Sequence, residues 1–405
     1  MPEKPRDVVP FAPPDIGEEE IAAVVEAMRS GWLTTGPNAA AFEAEFADAL
    51  RTGFAPNTPD GSPLVWDGPL HAVAVNSATA GLHLALEALG IAPGDEVLVP
   101  TWTFTATAEV VRYLGADPVL VDCDPATLNI DLERAAQLVT SRTRAIIPVH
   151  FAGLPVSRAD LAGFARTHDV TVVEDAAHAF PVPSGGIPIG AGQSEAVVFS
   201  FYATKTMTTG EGGMLVTPDE SVARRARTMR LHGISRDVFD RYAHGGSGWA
   251  YEVVAPGFKY NLTDTAAAMG RVQLRRAVAM REARAAIGRR YDEAFADLPL
   301  QLPAHPTTPG EHAWHLYVVR LRDDAPIGRD AFIQRMAAEH QVSTSVHFIP
   351  LHRHPYWQEV CAATAADLPH AEDAFARTVS LPIFSAMTDA QVDQVIDAVR
   401  ALVGP

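Results

Sequence analysis

The sequence predicts an α/β protein: a mostly parallel sheet sandwiched by helices, with a smaller C-terminal α+β unit. Short β-branched runs alternate with longer helical patterns through the first half of the chain, and such alternation builds βαβ units. Polar residues gather where those runs end. A long helical pattern rich in alanine and arginine then precedes a stretch with its own strands and helices.

The elements follow in order. Ile16, Ile21, Val24, Val25 and Met28 recur at helical spacing, and Gly31 stands where a left-handed C-terminal residue belongs. The proline-rich stretch from Ala55 to Gly68 reads as an irregular surface excursion. Strands are expected at Ala72–Val75, Glu96–Pro100, Pro118–Val121, Ala145–Val149 and Val170–Glu174. Ligands of such sheets bind at the carboxyl ends of strands. Asn76-Ser77, Pro100-Thr101, His150-Phe151 and Asp175 all fall at those ends. From Thr263 to Leu298 a helical pattern carries seven arginines between Arg271 and Arg290, read as a solvated face crossing between domains. Beyond it we expect a strand at Trp314–Leu321, a helix at Arg329–Glu339, a strand at Ser343–Phe348 and a last helix at Asp389–Leu402. The divisions are thus 1–265 for the large domain, 266–298 for the connecting helix and 299–405 for the small domain.

Composition narrows the function. The chain has 405 residues, 47% of them hydrophobic, and 49 acidic against 32 basic side chains give a net charge of −17. With no net positive field to neutralise phosphates, neither nucleic acid nor an anionic membrane is an expected partner. No apolar run approaches a membrane span, and the N-terminus does not read as a signal peptide. Cys123 and Cys361 are the only cysteines and fit no zinc or disulfide spacing, so a reducing cytoplasm is the expected location. His352 and His354 form a His-x-His pair without a third ligand at suitable spacing, so no metal site is expected.

Four segments could carry chemistry together. Lys205 enters the glycine-rich turn Thr209-Gly210-Glu211-Gly212-Gly213. Asp175 closes an apolar strand, where a carboxylate is costly unless a cation meets it. Asn76 to Gly81 places small and hydroxyl residues before a helix, whose free N–H groups suit a phosphate. Thr101 to Thr107 offers aromatics beside the same edge. Singly these are a surface lysine, an N-cap and core aromatics. Jointly they supply an amine for an aldehyde, an acid for a ring nitrogen, donors for a phosphate and a face for a flat ring, the needs of pyridoxal 5'-phosphate.

The chain resembles the DegT/DnrJ/EryC1/StrS family of nucleotide-sugar aminotransferases, which are fold type I pyridoxal phosphate enzymes. The likeness runs in order through Ser30 to Pro37, Ser77 to Gly81, Glu174 to His178, Ser200 to Lys205, Gly210 to Gly213 and Pro256 to Asp264. His312 to Leu316 and Val346 to Phe348 extend it, and the last stretches are most similar to the branch that forms 4-amino-4-deoxy sugars. The resemblance implies that Lys205 binds the cofactor covalently, that Asp175 pairs with its ring nitrogen and that His178 lies against its phenolic side. Ala78, Thr79 and Ser200 would contact the phosphate, and Phe104, not Trp102, would stack on the ring. Asn261 would reach the phosphate of a neighbouring subunit in a homodimer, and Thr34, Thr35 and His347 would lie near the sugar nucleotide.

The implied reaction is transamination. An amino donor, L-glutamate by family expectation, would leave the cofactor as pyridoxamine 5'-phosphate, which would then aminate a dTDP- or UDP-linked keto sugar, with the C4 keto group of a 4-keto-6-deoxyhexose as first candidate. A 3-keto sugar or keto-inositol acceptor is the alternative. Lys205 argues against the family's 3-dehydratases, where histidine takes that place. A cofactor-bound sensor is the non-enzyme reading, disfavoured because no DNA-binding arm is recognisable.

Overall fold

The computed structural model describes residues 8–54, 65–192, 194–234 and 251–404. Most of the proline-rich stretch, 55–64, lies outside them. The first helices are α1 (Glu18–Arg29) and α2 (Pro37–Thr52), and Gly31 follows α1 with φ +77°.

A seven-stranded sheet organises the large domain. Its strands are β1 (His71–Val75), β2 (Glu96–Pro100), β3 (Asp117–Val121), β4 (Thr143–Ile146), β5 (Thr171–Asp175), β8 (Ala196–Ser200) and β9 (Gly213–Thr217), with the hairpin β6 (Pro183–Ser184) and β7 (Ile187–Pro188) outside it. The spatial order is β1-β9-β8-β5-β4-β2-β3. Only β9 runs against its neighbours. Both faces are buried, which is why these strands read as continuous apolar runs. Val73 and Val75 face a core with Leu82, Leu84 and Val110, while Ala72 and Ala74 face one built on Phe42, Phe46, Phe199 and Met214. Two helices start close to strand ends: α3 (Ala78–Ala88) leaves the end of β1 and α4 (Ala106–Tyr113) follows β2.

The C-terminal unit has a three-stranded antiparallel sheet of β10 (Leu300–Gln301), β11 (Tyr317–Leu321) and β12 (Thr378–Leu381), with a core around Tyr291, Phe332, Val379 and Val395. Two expectations need correction. Ser343–Phe348 is not a ladder strand: this stretch and its flank make only isolated bridges, Val342 to Val9 and Ser345 to Ser380. Chain that brings His347 and Phe348 to a cavity leaves the sheet to do so. The arginines of the long helix Asp264–Phe295 are a solvated face only in part: Arg275 and Arg289 are exposed, but others are held in ion pairs. Arg271 pairs with Glu45, Arg276 with Asp15 and Glu20, and Arg290 with Asp389 and Asp393, so this face is tied to the rest of the molecule by ion pairs.

Candidate active site

Successive strand ends build one cavity. Asn76-Ser77 after β1, Thr101 to Thr107 after β2, Asp175 at the end of β5 and Ser200 at the end of β8 share the edge where ligands of open α/β sheets bind. A cavity of about 480 Å³ opens there, lined by Ala78, Thr79, Phe104, Asp175, His178, Ser200, Lys205 and His347 among others.

Helix α3 supplies the anion site. Ser77 is its N-cap and its side chain accepts from the Ala80 N–H at 3.1 Å, while the Gly81 N–H turns back to the Ser77 carbonyl. The N–H groups of Ala78 and Thr79 in the first turn have no intrahelical partner and point out of the helix end, where the dipole favours negative charge. Gly213 fixes this turn from behind: a Cβ there would sit 2.7 Å from the Ser77 carbonyl carbon and 2.8 Å from the Ala78 nitrogen, so β9 can approach only as glycine.

Adjacent carboxylates of β5 have opposite fates. Glu174 meets His150 at 2.8 Å on the far face of the sheet and stays below the usual carboxylate range despite its burial, because the imidazole hydrogen bond and charge favour the ionised form. Asp175 accepts from the Thr107 hydroxyl at 2.9 Å and from the Ala177 N–H at 3.1 Å. Burial nonetheless raises its pKa over the opposing pull of these bonds, of Lys205 and of His150. No cation lies within ion-pair distance of Asp175 among the described residues. Such a carboxylate needs a positive charge from something that enters the cavity.

Lys205 reaches the cavity from a turn in which its own N–H bonds the Tyr202 carbonyl, and the Thr208 side chain and the Thr209 N–H bond that of Phe201. Loss of hydration is the largest influence on its amine and lowers the pKa to about 8, Asp175 opposing and Arg284 adding to the fall. A lysine of that pKa is half neutral, and so half nucleophilic, near pH 8, whereas an ordinary one is almost wholly protonated. In the cofactor-free chain, acylation of Lys205 followed by peptide mass spectrometry should show a midpoint near pH 8. A midpoint shared with the exposed Lys259 would contradict the burial argument.

His178 is buried, with its Nδ1 unpartnered, and burial holds it well below the ordinary imidazole value. Its ring lies 5.9 Å from Phe348 in a stacked arrangement and 4.3 Å from His315. His347 bonds Ser380 through Nδ1 at 2.9 Å and stacks on Phe11, and desolvation takes its pKa to about 4. Phe104 is 60% exposed at the cavity while Trp102 is wholly buried against Phe151, so of these two Phe104 is the one open to a ring entering the cavity.

Three of the expected site residues, Thr34, Thr35 and Asn261, do not line this cavity. They meet one another instead: Asn261 donates to the Thr35 hydroxyl at 2.7 Å and, more distantly, to that of Thr34, and its oxygen accepts from Lys259. Thr107 and His315 do line the cavity, although the sequence alone gave neither a role. Thr107 belongs to the run of hydroxyls from Thr101 onward, and only the fold shows which one meets Asp175. His352 bridges the Thr101 hydroxyl and Glu372 as part of the framework.

A desolvated lysine, a buried acid awaiting a cation, an open helix N-terminus and an aromatic face around one cavity fit pyridoxal phosphate, and on this sheet they define a fold type I enzyme of that cofactor. The family model of the DegT/DnrJ/EryC1/StrS aminotransferase family matches residues 14–63 and 66–400. The chain is 43% identical over 404 residues to the spore coat polysaccharide biosynthesis protein SpsC of Bacillus subtilis, covering 100% of this chain and 99% of that one. The putative sugar aminotransferase Spr1654 of Streptococcus pneumoniae, solved in PLP and PMP forms, superposes with a TM-score of 0.85 at 32% identity over 98% of both chains. DesV of S. venezuelae superposes at 0.81 with 34% identity, covering 95% of this chain and 94% of that one. The chain belongs to the DegT/DnrJ/EryC1/StrS aminotransferase family and is a pyridoxal-phosphate-dependent sugar aminotransferase. No helix among the described residues is long and apolar enough to cross a membrane.

Proposed function

We propose that this aminotransferase moves the amino group of L-glutamate to the C4 keto group of a dTDP- or UDP-linked 4-keto-6-deoxyhexose. The observation that carries the reading is the convergence of Lys205, Asp175, His178 and the α3 N-terminus on one cavity. The similarity of Gly257 to Asp264 and His312 to Leu316 to the 4-amino-sugar branch supports the ring position, and the polysaccharide role in the name of SpsC supports a sugar acceptor.

When bound, pyridoxal phosphate supplies an aldehyde that takes up an amino group and a ring that delocalises the electrons left at carbon when a proton departs. The chain's residues do the rest. The Ala78 and Thr79 N–H groups with Ser200 would hold the phosphate, and Phe104 and His178, which line the same cavity, would pack against the ring. Asp175 keeps a proton on the ring nitrogen by pairing with its charge, and Thr107 aims that carboxylate. The neutral Nζ of Lys205 takes the proton from the α-carbon of the donor and, in the second half of the cycle, takes part in the reverse transfer at the sugar carbon. His347, fixed through Nδ1 by Ser380, leaves Nε2 for a hydroxyl of the sugar.

Assaying 2-oxoglutarate release from L-glutamate against a panel of keto sugar nucleotides and keto-inositol tests this. Turnover is expected with a 4-keto-6-deoxyhexose nucleotide. Turnover confined to a 3-keto sugar or to keto-inositol, or none with a 4-keto-6-deoxyhexose nucleotide, would contradict the C4 assignment.

The position of Asn261 outside its own protomer's cavity supports a homodimer in which it completes the neighbouring site. Lys205→Ala and Asn261→Ala variants, each impaired alone, should then recover roughly a quarter of wild-type activity after subunit exchange at equal amounts, since half the dimers are mixed and each holds one intact site of two. Absence of recovery in dimers shown to have exchanged would contradict the shared site.

A further inference from the structure

Arg284 differs from the other arginines that tie the long helix down. Arg271, Arg276 and Arg290 each meet a carboxylate. Arg284 is 2% exposed, and its Nη1 donates only to main-chain carbonyls, to Ile383 at 2.8 Å, His315 at 3.3 Å and more weakly to Trp314 at 3.5 Å. Its Nε is buried without a partner, and no carboxylate lies within ion-pair distance among the described residues. Asp15, whose charge acts on it most, is already engaged by Arg276 at 2.7 Å and by Ser385 at 2.8 Å.

A buried cation without a counter-ion is costly, and an apolar side chain of similar length would fill the same space at lower cost. The location supplies a reason for the charge. One carbonyl that Arg284 grips belongs to His315, whose side chain lines the cavity beside His178 and Lys205. We propose that Arg284 is a charge-setting positioning residue: a cation caged by carbonyls just behind the cavity wall, whose field disfavours a second positive charge on the Lys205 amine.

The proposal rests on Lys205 being the reacting amine, and on nothing about the acceptor. The other groups around that amine do not supply such a field. His178 and His315 are held well below the ordinary imidazole value by burial, and His347 at about 4, so all three are neutral when the enzyme works. Asp175 acts in the opposite sense, and Glu211 and Tyr202, also on the cavity, carry no positive charge. Among the described residues Arg284 is thus the fixed cation acting on the amine, adding to the larger effect of desolvation. Away from bulk water, a charge one residue behind the wall is weakly screened and still acts on the amine.

The experiment is the Lys205 acylation profile in the cofactor-free full-length chain, read by mass spectrometry for wild type, Arg284→Met and Arg284→Lys. Circular dichroism verifies the fold. Arg284→Met, which keeps length and loses charge, should move the midpoint upward by about one unit, while Arg284→Lys should keep it near the wild-type value. A midpoint unchanged in folded Arg284→Met overturns the proposal and leaves Arg284 a structural tie. Should Arg284→Met not fold, Arg284→Gln, equally neutral but able to donate to the same carbonyls, is read in its place: a midpoint raised above wild type supports the field, and an unchanged one overturns it. Because no sugar nucleotide enters, failure here is separate from failure of the acceptor assignment.

Discussion

Lys205→Ala is expected to lower turnover by about 10³-fold or more, because in the proposed mechanism it removes both the covalent holder of the cofactor and the base that moves the proton, and a positioned general base alone contributes ~10² to 10⁴. The remaining contacts, the α3 N-terminus and Asp175, are untouched. The variant should therefore still retain pyridoxamine phosphate noncovalently while losing the visible absorption of a lysine-bound cofactor. Stopped-flow and steady-state assays with absorption spectra read both outcomes. A variant with wild-type spectrum and rate would remove Lys205 from the chemistry.

Asp175→Asn separates charge from shape. The amide oxygen can still accept from the Ala177 N–H, and the Nδ2 that replaces the other oxygen can donate to the Thr107 hydroxyl, so the local geometry is retained. It cannot neutralise a protonated ring nitrogen, and by comparison with other preorganised charge stabilisers the loss should be about 3 to 4 kcal/mol of barrier, or ~10² to 10³ in kcat. The unfolding of the cofactor-free chain should move the other way. Burial raises the Asp175 pKa, so its contribution is fully present below the unfolded carboxylate pKa and is lost as pH rises through the higher folded value. Above that folded value the wild-type chain carries an ionised, poorly compensated carboxylate, and there Asp175→Asn should melt at an equal or higher temperature. A cofactor-free variant markedly less stable than wild type, with catalysis intact, would assign Asp175 to the framework instead.

Much of this site is legible in the residues themselves. Parallel strands buried on both faces are continuous apolar runs, and their ends are marked by the first polar residues, which is why Ser77 and Asp175 can be placed on one edge from spacing alone. The fate of the long helix is not legible. Its arginines form a regular polar face, and only tertiary contact shows that Glu45, Asp15, Glu20, Asp389 and Asp393 come to meet it while Arg284 turns inward. Ser343 to Phe348 misleads for a related reason. Val346-His347-Phe348 alternates as a strand does, but here the chain leaves the sheet so that His347 can lean on Phe11 and Ser380. His315 and Thr107 give no separate signal, because a buried polar residue takes its role from partners distant in sequence.

Borohydride reduction of the pyridoxal phosphate form, followed by digestion and peptide mass spectrometry, tests most directly where the cofactor is held. A single pyridoxyl adduct on Lys205, absent from Lys205→Ala, is the predicted result. An adduct on Lys259 or another lysine, or its persistence at equal yield in Lys205→Ala, would contradict it.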